Sequence, residues 1–170
     1  MQQFGVIGLS VMGKNLALNV KNHGYSVSGF SIDKPEVDAL AKYEDKNLKP
    51  AYTWEEFVNS LEKPRKILIQ IMAGKPVDET LQKLLPLLDK GDILIDGGNS
   101  NFHDTNRRYK EMEKHGIHFI GMGVSGGEEG ALNGPALMPG GDEKAYEEVA
   151  PILEACLLYT SPSPRDRSVS

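Results

Sequence analysis

A turn near the start of the chain contains the residues best suited to bind an anionic ligand. Residues Gly8-Leu9-Ser10-Val11-Met12-Gly13 follow an apolar stretch and open a helical pattern. The N–H groups at the start of a helix attract phosphate, because they lack partners within the helix and carry the positive end of its dipole. Gly8 would allow a tight turn and Gly13 a close helix–strand contact, so these residues are candidates for binding a dinucleotide pyrophosphate. A glycine turn without a ligand is the alternative, since Ser10 replaces the usual middle glycine.

Three later turns carry small or polar residues that could contact the rest of such a ligand. They are Ala73-Gly74, Asp96-Gly97-Gly98-Asn99-Ser100 and Gly123-Val124-Ser125-Gly126-Gly127. Each follows an apolar stretch, and ligands of open α/β sheets bind at the carboxyl ends of the strands. Asn99 offers a donor and an acceptor, while Ser125 and the N–H groups of Gly126 and Gly127 could bind a carboxylate or hydroxyl. Each turn alone is also consistent with an ordinary loop.

The run Ser31-Ile32-Asp33-Lys34 follows the second predicted strand, where a dinucleotide-binding protein reads the adenosine ribose. Asp33 lies about 20 residues after Gly13, which is the spacing of an acid that binds the 2′-hydroxyl of NAD. The alternative role for Asp33 is to cap the helix that follows.

Other motifs fit different chemistry less well. Gly123-x-Ser125-x-Gly127 matches a hydrolase nucleophile elbow with His115 or His118 as base, but the glycines after Ser125 make a poor helix start. The two histidines lack a third metal ligand at a sensible spacing. The adjacent acids Glu128 and Glu129 are typical of a solvated loop.

Strand-like and helix-like patterns alternate along the chain, which predicts a Rossmann-type, doubly wound, mostly parallel sheet with helices on both faces. Strands are predicted at residues 4–7, 25–32, 67–72, 92–96 and 117–120, with a short one at 136–138. Helices are predicted between them, including one capped by Asp104 and a last one over about residues 142–155. Residues 1–155 form the predicted domain, and 156–170, which lack an apolar period, form a predicted disordered tail.

Composition limits the possible partners. The 170 residues carry a net charge of −5 without a basic run, which argues against a nucleic-acid partner. No apolar stretch approaches the roughly 20 residues of a membrane-spanning helix, and the amino terminus lacks a signal peptide's positive region. With a single cysteine, Cys156, no internal disulfide can form, which agrees with a cytoplasmic location.

Four separated blocks resemble the coenzyme-binding domain of decarboxylating 6-phosphogluconate dehydrogenases. The matching blocks are Gly8-Leu9-Ser10-Val11-Met12-Gly13-Lys14-Asn15-Leu16, Ala73-Gly74-Lys75-Pro76-Val77-Asp78, Asp92-Ile93-Leu94-Ile95-Asp96-Gly97-Gly98-Asn99-Ser100 and the stretch from Gly121 to Ala131, continued by Gly134-Pro135 and Met138-Pro139-Gly140-Gly141. Their order makes the resemblance far more specific than one glycine motif. It covers about residues 3–155.

The resemblance implies NADP-dependent oxidation of 6-phosphogluconate, loss of CO2 and formation of ribulose 5-phosphate, a step of the pentose phosphate pathway and of gluconate utilization. It also implies a cytoplasmic homodimer for the full-length enzyme. By resemblance, residues 8–13 hold the pyrophosphate, while Ser31, Ile32 and Asp33 face the adenosine ribose. Ile71, Met72 and Ala73 would line the cofactor, Asn99 would lie between nicotinamide and substrate, and Ser125, Gly126 and Gly127 would hold the substrate.

Two departures from the family pattern carry expectations of their own. The family commonly has Asn-Arg-Thr where this chain has Ser31-Ile32-Asp33, and Ile32 cannot pair with a 2′-phosphate, so NAD is a second candidate coenzyme. The family's catalytic lysine and glutamate lie beyond this domain, so no catalytic residue is assigned here. The chain is expected to bind a dinucleotide without turnover, and residues 156–170 are expected to be non-native. A hydroxyisobutyrate-type dehydrogenase domain and a non-catalytic dinucleotide-binding module are the alternatives.

Overall fold

A seven-stranded sheet forms the centre of the part of the chain that the structure describes. The structure is a computed structural model, and it describes residues 1–98, 100–122, 136–137 and 143–157. The strands are β1 (Phe4–Ile7), β2 (Val27–Phe30), β3 (Leu48–Ala51), β4 (Lys66–Ile69), β5 (Ile93–Asp96), β6 (His118–Met122) and β7 (Ala136–Leu137). Their order in the sheet is β3-β2-β1-β4-β5-β6-β7. All neighbours pair in parallel except β7, which runs antiparallel to β6.

Helices cover both faces of this sheet. They are α1 (Val11–Asn22), α2 (Lys34–Ala41), α3 (Trp54–Asn59), α4 (Lys75–Leu84), α5 (Phe102–Glu113) and α6 (Glu143–Leu157), with a short 3-10 turn at Leu85–Leu87 after α4. One apolar cluster joins α1, α2 and α6 to the sheet, and a second joins α3, α4 and α5 to it. The predicted doubly wound fold is therefore confirmed. Within the ranges described, every helix is too short or too polar to cross a membrane.

The central strands are mostly apolar because both of their faces are covered. In β1, Phe4 and Val6 belong to one apolar cluster and Ile7 to the other. The same alternation places Leu68 of β4 in the first cluster and Ile69 in the second. Successive side chains point to opposite faces of a strand, so each central strand contributes to both cores.

Strand β3 was missed by the sequence analysis, which predicted no strand between residues 32 and 67. Only its first and last residues, Leu48 and Ala51, are buried. Pro50 cannot donate a ladder hydrogen bond, and a proline inside a strand is tolerated at the edge of a sheet. The position of β3 at one end of the strand order meets that condition.

Several predicted boundaries are wrong by a few residues. Strand β2 and strand β4 are shorter than predicted, and both end before the polar turns that follow them. Helix α5 is capped by Asn101, whose side chain accepts a hydrogen bond from the Asp104 N–H, so the prediction of Asp104 as the cap is wrong. Helix α6 continues to Leu157, so the predicted tail boundary at residue 155 falls inside it. Residues 158–170 lie outside the described residues.

A buried ion pair closes the amino-terminal end of the sheet. The Arg65 Nη1 lies 3.0 Å from the Asp92 Oδ2, and the two side chains are 8% and 1% exposed. Asp92 also accepts hydrogen bonds from the N–H groups of Arg65 and Asp89. Since Arg65 and Asp92 directly precede β4 and β5, the pair fixes the start of both strands.

We expect Asp92→Asn to lower the free energy of unfolding by about 3–5 kcal/mol, because it removes the buried counter-charge of Arg65 and leaves only the exposed Asp89 to pair with it. Asp89→Asn is the control, since Asp89 also pairs with Arg65 but its side chain is 53% exposed; we expect a much smaller loss there. Urea unfolding followed by circular dichroism measures both variants. Equal losses for the two would contradict the assignment of a buried pair.

Candidate functional site

A cleft of about 540 Å³ opens where the chain leaves the carboxyl ends of β1, β2 and β4. Strand β1 lies between β2 and β4, so successive crossovers leave it toward opposite edges of the sheet. Ligands of doubly wound proteins bind at such a switch point. The cleft is lined by Ile7, Gly8, Ser10, Ser31, Ile32, Asp33, Glu36, Trp54, Gln70, Ile71, Met72, Pro76, Glu79, Thr80 and Lys83.

Two glycines bring the start of α1 against the sheet. Gly8 has φ +97°, and a Cβ added there would lie 2.2 Å from the Gln70 carbonyl oxygen. A Cβ added at Gly13 would lie 1.8 Å from the Gly8 carbonyl oxygen. Both distances are far below van der Waals contact, so any side chain would force the helix away from the strands. The predicted tight turn and close helix–strand contact are confirmed, while a binding role of these glycines stays a prediction.

The first turn of α1 is suited to an anion. Ser10 occupies the N-cap position, but its side chain makes no capping hydrogen bond, and the first turn contains no acidic residue. Because the first N–H groups of a helix have no partner within it, this turn presents backbone donors and the positive end of the helix dipole. Ser10 lines the cleft, so this end of the helix borders it.

The other residues of the predicted turn divide between core and surface. Leu9 is buried, and Met12 is half-buried against the apolar cluster below α1; neither residue is part of the cleft lining. Val11 is 73% exposed at the start of the helix. A contact of Leu9 or Met12 with a ligand stays a prediction.

Glu36 is a site residue that the sequence analysis missed. Its Oε1 accepts hydrogen bonds from the Ser31 hydroxyl at 2.7 Å and from the Leu9 N–H at 3.3 Å. Asp33, the acid expected here, lines the cleft and occupies the N-cap position of α2, but its side chain makes no capping hydrogen bond, so the capping alternative is wrong. The signal for Glu36 was present in the sequence as an acid in the first turn of the helix after β2.

The segment after β4 supplies both polar and apolar groups. The Oε1 of Gln70 is buried and has no hydrogen-bond partner among the described residues, although Gln70 lines the cleft. Ile71 and Met72 also line it, and Met72 is 78% exposed, as is Ile32 at 85% on the β2 side. Ala73 is exposed and is not part of the lining. Exposed apolar side chains beside backbone donors suit a ligand with a flat ring and a charged linker, which is the chemistry of a dinucleotide.

Arg108 ties together the turns that follow β4 and β5. This arginine of α5 is 1% exposed, and it donates to the Gly74 carbonyl at 3.0 Å, to the Ser100 hydroxyl at 2.9 Å and to Asp78 at 2.9 Å. The buried Asp96 accepts from the Ser100 hydroxyl and from the Gly98 N–H. The residues on both sides of position 99 are therefore held in place. The sequence analysis missed Arg108, because its helix has a polar pattern throughout.

Some predicted site residues cannot be placed. Asn99, Ser125, Gly126 and Gly127 lie outside the described residues, as do Glu128 and Glu129. His115 lies in the turn after α5, and His118 begins β6. Across the described ranges, no group of three or more His, Cys, Asp or Glu residues is placed to hold a metal ion.

Comparisons with known proteins agree with this geometry. The family model described as the NAD binding domain of 6-phosphogluconate dehydrogenase matches residues 3–157. The chain is 57% identical to "6-phosphogluconate dehydrogenase, decarboxylating" of Staphylococcus aureus (strain Mu50 / ATCC 700699), over 95% of this chain and 37% of that protein. It is 58% identical to "6-phosphogluconate dehydrogenase, NADP(+)-dependent, decarboxylating" of Bacillus subtilis (strain 168), over 95% of this chain and 36% of the relative. The chain thus spans little more than a third of these relatives.

Solved structures show the same relationship. Plasmodium falciparum 6-phosphogluconate dehydrogenase, which was determined without ligand, with NADP+ and with 6-phosphogluconate, has a TM-score of 0.80 and 37% identity, over 91% of this chain and 34% of that one. A 3-hydroxyisobutyrate dehydrogenase of Mycobacterium tuberculosis has a TM-score of 0.72 and 20% identity, over 92% of this chain and 52% of that one. At that identity the likeness shows the fold alone.

The Arg108 contacts predict how stability depends on pH. Hydrogen bonds from Arg108, reinforced by Arg107, hold the pKa of Asp78 below its usual value. A carboxyl group with a lowered pKa in the folded state contributes stability above its unfolded pKa of about 4, and this contribution is lost as the pH falls through the folded pKa. We therefore expect the urea concentration at the unfolding midpoint to decrease as the pH is lowered below about 4. This decrease should be less steep in Asp78→Asn. Glu111→Gln, an exposed change on α5, should keep the wild-type slope; equal slopes for all three proteins would contradict the role of Asp78.

Proposed function

Since the chain belongs to the family of the NAD binding domain of 6-phosphogluconate dehydrogenase, we propose that it holds the coenzyme of an enzyme that oxidises and decarboxylates 6-phosphogluconate to ribulose 5-phosphate. The single observation that carries the proposal is the start of α1, pressed against β1 and β4 at the border of the cleft by Gly8 and Gly13. The high identity to the curated relatives favours this substrate over the hydroxy acid of the distant hydroxyisobutyrate dehydrogenases.

In this proposal the backbone N–H groups of residues 10–13 bind the pyrophosphate of the coenzyme. They form the first turn of α1, where negative charge is stabilised by unpaired donors and by the helix dipole. Gly8 and Leu9 form the turn that brings the chain from β1 into this helix. Leu9 has a structural part as well, because its N–H donates to Glu36.

The two arms of the dinucleotide would extend along the cleft on either side of this turn. We assign Ser31, Ile32 and Asp33, after β2, to the adenosine ribose. Ile71 and Met72, after β4, would contact the coenzyme through their apolar side chains, with Ala73 following in the same exposed turn. The Bacillus subtilis relative is named as NADP(+)-dependent, so NADP is the first candidate coenzyme and NAD is the second. The residues beside the ribose would determine which of the two binds more tightly.

We assign the substrate end to Asn99, Ser125, Gly126 and Gly127. Support for Asn99 comes from the Arg108 contacts, which fix Ser100 on one side of it, while Asp96 fixes Gly98 on the other. The coenzyme supplies the hydride acceptor when it is bound. The chain contributes position, because hydride transfer requires the two reacting carbons to be held in close and aligned contact.

The wider setting follows from the same family membership. We propose that the full-length enzyme is a cytoplasmic homodimer of the pentose phosphate pathway that also serves gluconate utilization. The coenzyme-binding role of this chain can be tested separately from these proposals.

Two glycines with the same backbone conformation offer a matched test of coenzyme binding. Gly8 and Gly24 have φ +97° and +96°, but a Cβ at Gly24 meets no atom within 4 Å. We expect Gly8→Ala to weaken dinucleotide binding at least about tenfold, because the added methyl group must push the Gln70 carbonyl or the turn away. Gly24→Ala bears a similar conformational cost of about 1–2 kcal/mol far from the cleft, and it should keep the wild-type affinity.

Isothermal titration calorimetry with NAD+ and NADP+ measures these affinities, and circular dichroism confirms that each variant is folded. An equal loss of dinucleotide affinity in the two variants would contradict the assignment of Gly8 to the coenzyme site. Failure of the folded wild-type chain to bind either dinucleotide would overturn the proposed function.

A further inference from the structure

We propose that Glu36 makes this chain select NAD over NADP, by fixing a negative charge where the ribose end of the coenzyme enters the cleft. The inference rests on the proposed coenzyme function and deepens it by naming the preferred coenzyme and the side chain responsible. It also reassigns the role expected of Asp33 to a residue three positions later.

The Glu36 carboxylate is held by both segments that flank the ribose end of the cleft. The Ser31 hydroxyl donates to it from the end of β2, and the Leu9 N–H donates to it from the turn after β1. The residue is half-buried and lines the cleft. Two donors on one oxygen set the orientation of the carboxylate, and a carboxylate with further acceptor sites on Oε2 can accept a ribose hydroxyl.

Charges on the cleft walls reinforce this effect. The ionisable side chains lining it are Asp33, Glu36, Glu79 and Lys83, which together carry a net negative charge. A 2′-phosphate would add close to two negative charges beside Glu36, and like charges brought together in a partly buried site weaken binding. A 2′-hydroxyl, in contrast, donates a hydrogen bond to a carboxylate, which is how acids at this place in the fold favour NAD.

The cation nearest in sequence is engaged elsewhere. The Lys34 Nζ lies 3.2 Å from the Asp38 Oδ2 and 5.6 Å from the centre of the Tyr52 ring. Lys34 lines a neighbouring cavity that it shares with Tyr52, not the cleft itself. To neutralise a 2′-phosphate, Lys34 would have to leave both contacts, which are exposed and individually weak, so it offsets the charge of Glu36 only by rearranging.

A purely structural role for Glu36 can be distinguished from selection of the coenzyme by its charge. If the carboxylate only ties the turn after β1 to the end of β2, then Glu36→Gln should change the affinities for both coenzymes alike, since the amide oxygen can still accept from Ser31 and Leu9. If its charge selects the coenzyme, the same substitution should change the ratio of the two affinities. Glu111→Gln is the control, because Glu111 is an exposed acid of α5 that does not line the cleft.

The experiment is calorimetric titration of the full chain with NAD+ and with NADP+ at one low, fixed ionic strength, because salt screens the repulsion. We expect wild type to bind NAD+ at least about tenfold more tightly than NADP+. Glu36→Gln should reduce that preference at least about fivefold, mainly by improving NADP+ binding, whereas Glu111→Gln should change it less than about twofold. Ile32→Arg, which places a guanidinium at the same end of the cleft, should shift the preference further toward NADP+.

The possible results separate this inference from the function on which it rests. A wild-type chain that prefers NADP+, or a folded Glu36→Gln variant with an unchanged ratio, would overturn the selection by Glu36 while leaving the coenzyme-binding role intact. A wild-type chain that binds neither dinucleotide would overturn both. The wild-type ratio needs no variant, so the inference can fail even if a substitution prevents folding.

Discussion

The close approach of α1 to the parallel sheet is the constraint on which this site depends. Gly13 lies against the carbonyl of Gly8, and Gly8 lies against the carbonyl of Gln70, with no room for a Cβ at either glycine. The helix therefore begins at the junction of β1 and β4, where the crossovers diverge. The backbone donors of its first turn and the positive end of its dipole then face the switch point at the carboxyl ends of the strands, where a doubly wound sheet forms a cleft.

Polar contacts fix the segments that surround this cleft. Glu36 joins the turn after β1 to the end of β2, and Arg108 joins the turns after β4 and β5. Both side chains bridge segments that are distant in sequence, and both are kept in fixed positions by hydrogen bonds. Side chains held in this way keep the segments around the cleft in fixed positions, which lowers the cost of reorganisation when a ligand binds.

The sequence predicted the parts of this molecule that follow from local patterns. Apolar runs such as the one containing Leu68 identify the buried strands, and the glycine spacing identifies the turn into α1. Strand β3 could not be recognised, because Pro50 and its partly exposed neighbours carry no strand pattern. Glu36 and Arg108 are polar residues in polar helical turns, and their contacts lie mostly 27 to 34 residues away, so only the folded chain shows their roles.

The most direct test is a backbone amide map of coenzyme binding. The chain labelled with ¹⁵N is titrated with NAD+, and the shift of each amide resonance is followed by NMR. The account predicts the largest changes at residues 10–13, with smaller ones beside Ser31 and Ile71, and none around Arg65 at the opposite end of the sheet. Unchanged amides at residues 10–13 in a chain that binds NAD+ would contradict it.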